Sequence, residues 1–212
     1  MDFIDHKIDD YVCRHTSKES ELLQKINRET NLEVLQPRML SGHFQGRVLS
    51  MFSKMIKPRR ILEIGTYTGY SALCLAEGLT EDGLLFTIDV NEELETRVRG
   101  YFDNSDNRMK LKYFVGDAIR IIPSLNEKWD IVFIDADKLN YVNYYNLVFD
   151  SVEKGGYIIA DNVLWSGKVV DSSKMDKDTE LLREYNRMVH EDSRVEEVLL
   201  PIRDGLMIAR KK

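Results

Sequence analysis

The segment Ile61-Leu-Glu-Ile-Gly-Thr-Tyr-Thr-Gly-Tyr-Ser71 decides the fold class of this chain. Its apolar residues predict a buried strand over Arg60–Ile64, and the residues after the second glycine predict a helix over Tyr70–Leu79. A strand, a glycine-containing turn and a helix in this order are typical of an α/β sheet that holds a nucleotide-like cofactor. The alternative is a tight strand-to-helix turn whose glycines serve only packing.

The spacing of the glycines narrows the class of cofactor. Gly65 and Gly69 are separated by three residues, so the turn lacks the G-x-G-x-x-G pattern of dinucleotide-binding sheets, and no G-K-[ST] ending marks a phosphate-binding loop. Glu63 lies just before the first glycine, where a carboxylate repels a pyrophosphate and suits a cation. The turn therefore favours a positively charged cofactor without phosphate, such as S-adenosylmethionine.

Length and charge limit the classes of protein that fit. The chain has 212 residues, and we predict one domain over residues 1–212. A formal net charge of −6 disfavours nucleic acid as a partner, because phosphates require a basic face. No segment approaches a membrane span, and the charged start of the chain lacks the apolar stretch of a signal peptide. We therefore expect a cytoplasmic protein that binds neither nucleic acid nor a membrane.

The cysteines and histidines do not predict a catalytic or metal site of their own. The two cysteines, Cys13 and Cys74, lie far apart in the sequence, and the four histidines lack the spacing of metal ligands. We expect both cysteines to act as small apolar residues rather than as a disulfide or a nucleophile. A zinc site and a Cys–His pair are not expected.

Hydrophobic patterning predicts N-terminal helices followed by alternating strands and helices. Near-continuous apolar runs such as Ile131–Ile134 are typical of parallel strands that are buried on both faces. The predicted N-terminal helices within residues 1–58 are Asp2–His15, Ser17–Thr30 with Ser17 as its cap, and Phe44–Ile56. The strands predicted next are Arg60–Ile64, Leu84–Asp89, Leu111–Val115, Asp130–Asp135 and Gly156–Asp161, with helices over Tyr70–Leu79, Glu92–Phe102, Ala118–Ile122 and Tyr141–Val152.

The C-terminal part departs from this alternation. After a predicted helix over Asp178–His190, two strands, Val195–Leu200 and Leu206–Arg210, are joined by a short turn that contains Asp204-Gly205. So short a turn makes the strands antiparallel, because a parallel return needs a long crossover. We therefore predict an α/β fold with a Rossmann-like, seven-stranded, mostly parallel sheet and one reversed strand, the arrangement of the S-adenosylmethionine-dependent methyltransferase fold.

Polar residues follow the predicted strands at the edge where open α/β sheets bind ligands. Asp89 ends the second strand 24 residues after Gly65, a separation at which an acidic side chain binds ribose hydroxyls. Gly116-Asp117-Ala118 follows the third strand, where it can line an adenine pocket. Asp117 is equally an ordinary helix cap, and the two roles are compatible.

The fourth and fifth strands end in a set of oxygen donors. Asp135 follows one strand and Asp161-Asn162 follows the other. If the two strands are neighbours, about 4.8 Å apart, the three side chains converge. Such a site suits Mg²⁺, with Mn²⁺ or Ca²⁺ as substitutes, and not zinc. The alternative is that each acid caps the next helix. Lys138 is either a solvated charge or, beside a divalent cation that disfavours its ammonium form, a base.

Taken together, these residues resemble the cation-dependent class I O-methyltransferases, the family of catechol O-methyltransferase, plant caffeoyl-CoA O-methyltransferase and small bacterial relatives. The resemblance covers about Leu35 to the C-terminus, and its most specific part is Asp-x-x-Lys followed by Asp-Asn. The motifs in chain order are Met39–Gly46, Leu62–Ser71, Thr87–Asp89, Gly116–Ala118, Asp135–Lys138, Asp161–Asn162 and Asp204–Gly205.

The resemblance implies a role for each matching residue. Lys138 would be the general base, and Trp165, which is also plausible as partial core, would contact the substrate together with Met39 and Lys138. In the animal catechol enzymes an acid near the last hairpin grips the second hydroxyl; Glu196 and Glu197 lie near that hairpin here, and the resemblance assigns the role to neither. The implied metal ligands are Asp135, Asp161 and Asn162, and the implied cofactor contacts are Met39, Ser41, Glu63, Gly65, Thr66, Tyr67, Ser71, Asp89, Asp117, Ala118 and Asp135.

The implied activity is the S-adenosylmethionine-dependent and divalent-metal-dependent methylation of one hydroxyl of a vicinal dihydroxy aromatic molecule. The family also implies a homodimer, with residues 1–58 and 166–178 shaping the substrate mouth. Three alternatives are a nicotinamide-dependent oxidoreductase, a non-catalytic module of the same fold, and a methyltransferase for nucleic acid, protein or another acceptor. The missing dinucleotide pattern argues against the oxidoreductase. The predicted metal ligands and Lys138 argue against a non-catalytic module, and the acidic net charge argues against a methyltransferase for nucleic acid or protein.

Overall fold

A mixed seven-stranded sheet organises the chain over residues 5–212, the part that the computed structural model describes. The strand order is β3-β2-β1-β4-β5-β7-β6, and only β7 runs antiparallel to its neighbours, so the predicted fold class is confirmed. The strands are β1 Arg60–Ile64, β2 Leu84–Asp89, β3 Leu111–Val115, β4 Trp129–Ile134, β5 Val152–Ala160, β6 Val195–Leu200 and β7 Leu206–Lys211. The α-helices are α1 His6–Arg14, α2 Glu21–Glu33, α3 Gly42–Ile56, α4 Tyr70–Ala76, α5 Glu95–Asp103, α6 Ala118–Leu125, α7 Tyr141–Phe149 and α8 Lys177–Glu191.

The central strands have apolar side chains on both faces, which explains their continuous apolar sequence. In β4, Ile131 and Phe133 belong to one hydrophobic core, and Val132 and Ile134 belong to the other. All four side chains are fully buried. Successive side chains of a strand point to opposite faces, so one strand stabilises both layers of helices.

The strand order changes direction at β1, the place where open α/β sheets bind ligands. The chain moves from β1 to β2 on one side and later returns to β4 on the other, which creates a switch point at the carboxyl ends of the strands. Backbone hydrogen bonds carry the sheet one residue past these ends: Gly65 donates to Ile88, and Asp135 donates to Ile64. In the same way Asp161 donates to Ile134. Gly65, Asp135 and Asp161, three of the predicted functional residues, therefore share one edge of the sheet.

Several predicted helix ends differ from the structure. Helix α2 begins later than predicted, and Ser17 is not its cap: the Oγ atom of Ser20 accepts the Leu23 amide at 3.3 Å. Both serines have capping chemistry, so their spacing did not distinguish them. The first predicted helix is confirmed over His6–Arg14, and its residues 2–4 lie outside the described residues. The helix predicted to reach Val152 ends at Phe149, because Val152 already begins β5.

The C-terminal hairpin is formed as predicted. Strands β6 and β7 pair in antiparallel register, with Leu200 opposite Leu206. The connecting turn uses left-handed backbone at Arg203, with φ +49°, and at Gly205, with φ +91°. Among the helices of residues 5–212, none is both long enough and apolar enough to cross a membrane.

Candidate active site

The glycine-containing turn packs directly against the end of β4. Gly65 has φ +101°, and a Cβ atom at this position would overlap the carbonyl oxygen of Asp135. The Asp89 Oδ2 atom accepts the backbone amides of Thr66 at 2.9 Å and Tyr67 at 2.6 Å. Asp89, predicted as a ribose contact, therefore also holds the turn in place. A side chain at position 65 would separate the turn from β4.

Glu63 is a fully buried acid beneath this turn. Burial raises the pKa of Glu63 to about 8. The hydroxyls of Ser71 and Thr87 favour the charged form and lower the pKa, but their effect is smaller than that of burial. The Thr87 hydroxyl donates to Glu63 Oε2 and can itself accept from the Thr66 hydroxyl. Glu63 Oε1 is buried without a hydrogen-bond partner among residues 5–212. An unpartnered acidic oxygen suits a bound cationic group, as the sequence predicts for this position.

The three predicted metal ligands lie together at the ends of β4 and β5. Burial, with the charge of Asp161 as the second cause, raises the pKa of Asp135 to about 7. Asp161 is only 2% exposed, and its Oδ1 atom accepts the backbone amide of Asn162 at 2.6 Å. Asn162 takes a left-handed conformation with φ +58°, which asparagine tolerates better than most residues. The structure thus brings together two interacting carboxylates and one amide.

Lys138 links these groups. Its Nζ atom donates to Asn162 Oδ1 at 2.9 Å, to the Tyr141 hydroxyl at 2.6 Å and to the Ala136 carbonyl at 3.1 Å. The same nitrogen lies 3.7 Å from Asp135 Oδ1, and the side chain is only 9% exposed. Its ammonium group therefore partly balances the negative charge of the two aspartates. The solvated-surface alternative for Lys138 does not fit this burial.

The donor set fits a hard divalent cation. Two carboxylates and an amide oxygen are the ligands that Mg²⁺ takes in proteins, with its remaining positions left to water or substrate. Within residues 5–212 no group of three or more histidine, cysteine or acidic side chains could hold a metal. The positive charge of Lys138 already lies beside Asp135 and Asn162. A cation would be favoured by the same negative field.

Trp165 lies next to Lys138 on the loop after β5. The centre of its ring is 5.7 Å from Lys138 Nζ and also 5.7 Å from Lys168 Nζ. Trp165 and Ser166 both have left-handed backbone, with φ +48° and +53°. The Asp204 carboxylate accepts the Ser166 amide, and the Asp204 carbonyl accepts the Leu164 amide at 2.8 Å. The C-terminal hairpin thus fixes the loop that presents this tryptophan.

The other predicted residues differ in their surroundings. Met39 is 57% exposed, whereas Ser41 is buried just before α3. Asp117 caps α6, since its Oδ1 atom accepts the Ile119 amide at 2.9 Å, and the adjoining Ala118 is buried.

The two acids near the last hairpin are not at this site. Glu196 pairs with Arg210, and Glu197 pairs with His190 at 2.9 Å. Both lie on β6 before its carboxyl end, and so away from the edge where the candidate site is built.

The structure adds residues that the sequence interpretation did not assign. Gln45 Nε2 donates to Asp161 Oδ2 at 2.6 Å, and the guanidinium of Arg203 donates to the Leu40 carbonyl at 2.8 Å and to the Ser41 carbonyl. The sequence does contain a signal for Gln45: it lies four residues before Leu49, so the two side chains share one face of the helix, and that face is in the core. No sequence signal marks Arg203, because its contacts span about the whole chain.

Comparison with known proteins shows the family to which this chain belongs. The model of the O-methyltransferase family matches residues 13–212. The chain belongs to the O-methyltransferase family. Caffeoyl-CoA O-methyltransferase 1 of Arabidopsis thaliana is 35% identical over 185 residues, which cover 82% of this chain and 71% of the relative. Caffeoyl-CoA O-methyltransferase 5 of Nicotiana tabacum is 32% identical over 82% of this chain and 77% of the relative.

Solved structures agree with this O-methyltransferase assignment. The O-methyltransferase TomG from Streptomyces achromogenes, in complex with SAM, matches with a TM-score of 0.89 and 27% identity over 97% of this chain and 96% of its own. The O-methyltransferase from Bacillus cereus, in complex with SAH, matches with a TM-score of 0.89 and 26% identity over 97% of both chains. The predicted enzyme class, an S-adenosylmethionine-dependent O-methyltransferase, is therefore confirmed over an oxidoreductase or a non-catalytic module.

Proposed function

We propose that this O-methyltransferase methylates one hydroxyl of a vicinal dihydroxy aromatic small molecule and requires a divalent cation, with Mg²⁺ as the first choice and Mn²⁺ or Ca²⁺ as substitutes. The observation that carries the proposal is the contact of Lys138 Nζ with Asn162 and Asp135, beside the buried Asp161. An amine and a set of oxygen donors thus lie at one edge of the sheet. A methyltransferase without a chelating acceptor has no need of this combination.

In this proposal the glycine-containing turn and its neighbours bind the cofactor. S-adenosylmethionine, when bound, supplies the electrophilic methyl group. The unpartnered oxygen of Glu63 supports a contact with the positively charged amino-acid end of the cofactor. Ser71, Asp89, Asp117 and Ala118 are proposed for the rest of the cofactor, in the roles that the sequence predicts.

Asp135, Asp161 and Asn162 are the proposed cation ligands. A divalent cation held there would lower the pKa of an acceptor hydroxyl and help to fix its position. The sheet holds the three ligands rigidly, since both aspartates continue the hydrogen-bonded ladder of β4 and β5. The protein then contributes mainly by positioning the acceptor.

Lys138 is the proposed general base. Its Nζ atom is oriented by Tyr141, whose hydroxyl in turn donates to the Asp161 carbonyl at 2.9 Å. The amine would then take the proton of the attacking hydroxyl.

The proposed acceptor is aromatic. Trp165 lies 5.7 Å from the amine of Lys138 and offers a flat apolar wall beside it. Met39, more than half exposed, is proposed as a second apolar contact at the mouth. Relatives of this chain are named for methylating caffeoyl-CoA. Caffeoyl thioesters, free catechols, flavonoids and dihydroxybenzoates are therefore the acceptors to compare.

A homodimer in the cytoplasm completes the proposal. Apolar side chains are exposed on the N-terminal helices, with Met51 57% and Met55 73% exposed on α3. Ile8 and Tyr11 on α1 are also more than half exposed. Neighbouring exposed apolar residues of this kind are typical of a subunit interface.

The proposal is tested by removing one cation ligand. In Asp135→Ala, Mg²⁺-dependent methylation of catechol acceptors by S-adenosylmethionine is expected to be abolished, while Asp106→Ala, which alters an exposed acid, keeps wild-type turnover. Product is measured by mass spectrometry. Wild-type turnover in Asp135→Ala would overturn the proposed cation site.

A further inference from the structure

Gln45 is a fully buried amide in direct contact with one of the proposed cation ligands. It lies near the start of α3, and its exposed fraction is 0%. Its Nε2 atom donates to Asp161 Oδ2 at 2.6 Å across 116 positions of sequence. Glutamine is rarely buried without a reason, because both ends of its amide must find partners.

The packing of α3 on α4 fixes the place of this amide. The next residue, Gly46, faces Tyr70 and Cys74, and a Cβ atom on it would lie 2.6 Å from Tyr70 Cε1 and 2.9 Å from Cys74 Sγ. The glycine thus lets the two helices approach closely. Because Gln45 adjoins this contact, its side chain starts from a rigid position and does not have to be ordered when a ligand binds.

Both oxygens of the Asp161 carboxylate are held by protein donors. The Asn162 amide donates to Oδ1 at 2.6 Å, and Gln45 donates to Oδ2. A carboxylate held at both oxygens cannot rotate freely, yet each oxygen keeps a further lone pair. A neutral donor also leaves the negative charge of Asp161 in place, whereas a lysine or arginine would cancel it.

We propose that Gln45 is a positioning residue for the cation site, acting through Asp161. The inference rests on the proposed function, since it concerns the same carboxylate. Groups that hold a metal ligand in the correct orientation contribute about 10- to 100-fold to metal affinity. Gln45 therefore connects helix α3 to the proposed cation site. A change in the packing of α3 would alter the orientation of the Asp161 carboxylate.

The second end of the Gln45 amide supports a role beyond packing. Its Oε1 atom is buried without a hydrogen-bond partner among residues 5–212. A buried acceptor in this condition destabilises the folded protein. Packing alone would be served better by an apolar residue such as the leucine found four positions later at Leu49. The amide is therefore kept for its bond to Asp161.

The test measures cation binding without turnover. Mn²⁺ alone is titrated into the full chain by calorimetry and by the electron paramagnetic resonance signal of free Mn²⁺. Gln45→Met keeps the shape of the side chain and removes the donor. It is expected to weaken Mn²⁺ binding at least about tenfold, while the affinity for S-adenosylhomocysteine stays within about twofold. Gln24→Met, a change at an exposed glutamine of α2, is the matched control with wild-type affinity for both ligands.

A second variant keeps the test informative if Gln45→Met does not fold. Gln45→Asn keeps an amide but withdraws it by one methylene, and it is expected to lose Mn²⁺ affinity in the same way. Folding of each variant is checked by circular dichroism. Wild-type Mn²⁺ affinity in a folded Gln45 variant overturns this inference but not the proposed function. If the variant loses as much affinity for S-adenosylhomocysteine as for Mn²⁺, Gln45 has only a structural role and the inference is also wrong. A wild-type protein that binds no Mn²⁺ overturns the proposed cation site and this inference with it.

Discussion

At the scale of single residues, the buried acids of the candidate site differ in the groups that balance their charge. The carboxylates of Asp135 and Asp161 interact in a buried place, and the positive charges of Lys138 and Arg203 act on Asp135. Glu63, by contrast, is compensated only by hydroxyls, and burial raises its pKa to about 8. Glu63 thus has only neutral partners, whereas Asp135 of the aspartate pair has a cationic side chain beside it.

The role of Lys138 gives the first prediction. Lys138→Met removes the amine but keeps most of the volume, so the proton acceptor is lost while the cofactor site is untouched. We expect kcat to fall about 100-fold or more, with the affinity for S-adenosylhomocysteine unchanged. Lys112→Met, on an exposed residue of β3, should leave kcat as it is. Wild-type kcat in Lys138→Met would contradict the assignment of the base.

The buried acid Glu63 gives a prediction about pH. Because its pKa is raised from 4.5 to about 8 in the folded chain, the folded state holds a proton that the unfolded state releases between these values. Its stabilising contribution is full below about pH 4.5 and is lost as the pH rises through about 8, by up to about 1.4 kcal/mol per pH unit. Glutamine resembles the protonated acid, so Glu63→Gln should flatten this fall.

Urea unfolding across this pH window measures the effect. Glu81→Gln, which changes an exposed acid, should show the slope of the wild-type protein. If Glu63→Gln shows that same slope too, Glu63 is charged in the folded protein and the prediction is wrong.

The residues at the strand ends were predictable because each motif has a simple physical reason. A glycine turn after a buried strand, and oxygen donors after two neighbouring strands, are local patterns. Gln45, Arg203 and Asp204 could not be assigned in this way, because their partners lie on distant elements. The roles of Asp89 in holding the turn and of Asp204 in holding the Trp165 loop depend on backbone amides, which the sequence does not distinguish.

At the scale of elements, the turn between β1 and α4 must touch the end of β4. Gly65 makes this contact, and any side chain there meets the backbone of Asp135. The strands were predicted well from the sequence, because charged residues mark the ends of most of the apolar runs. Helix ends were predicted less well: α4 stops at Ala76, because the following Gly78 packs its backbone against Ser53 of α3.

The contact at Gly65 predicts a loss of stability. Gly65→Ala forces the turn away from β4 and places alanine at φ +101°, so we expect a destabilisation of about 1–3 kcal/mol or more together with weaker cofactor binding. Gly100→Ala is the control: Gly100 lies in α5 with open space around its Cβ position, and alanine there should stabilise by about 0.5–1 kcal/mol. Chemical unfolding compares the two, and equal stability of both variants would contradict the close contact.

At the scale of the whole molecule, the apolar residues on α1 and α3 bear on assembly. We expect sedimentation velocity to show a dimer for the wild-type chain. Met55→Lys places a charge among these exposed apolar residues and should shift the protein toward a monomer. Met109→Lys, at a methionine 78% exposed elsewhere on the surface, should remain dimeric. A monomeric wild-type protein would contradict the proposed assembly.

We propose that a cation site built from Asp135, Asp161 and Asn162 serves methyl transfer to an aromatic diol. The most direct measurement is mass-spectrometric detection of products after the purified protein is incubated with S-adenosylmethionine and a panel of catechols, in Mg²⁺ and in chelator. We expect monomethylated products that form with Mg²⁺ and vanish with chelator. Product that persists in chelator, or no product from any diol, would contradict this proposal.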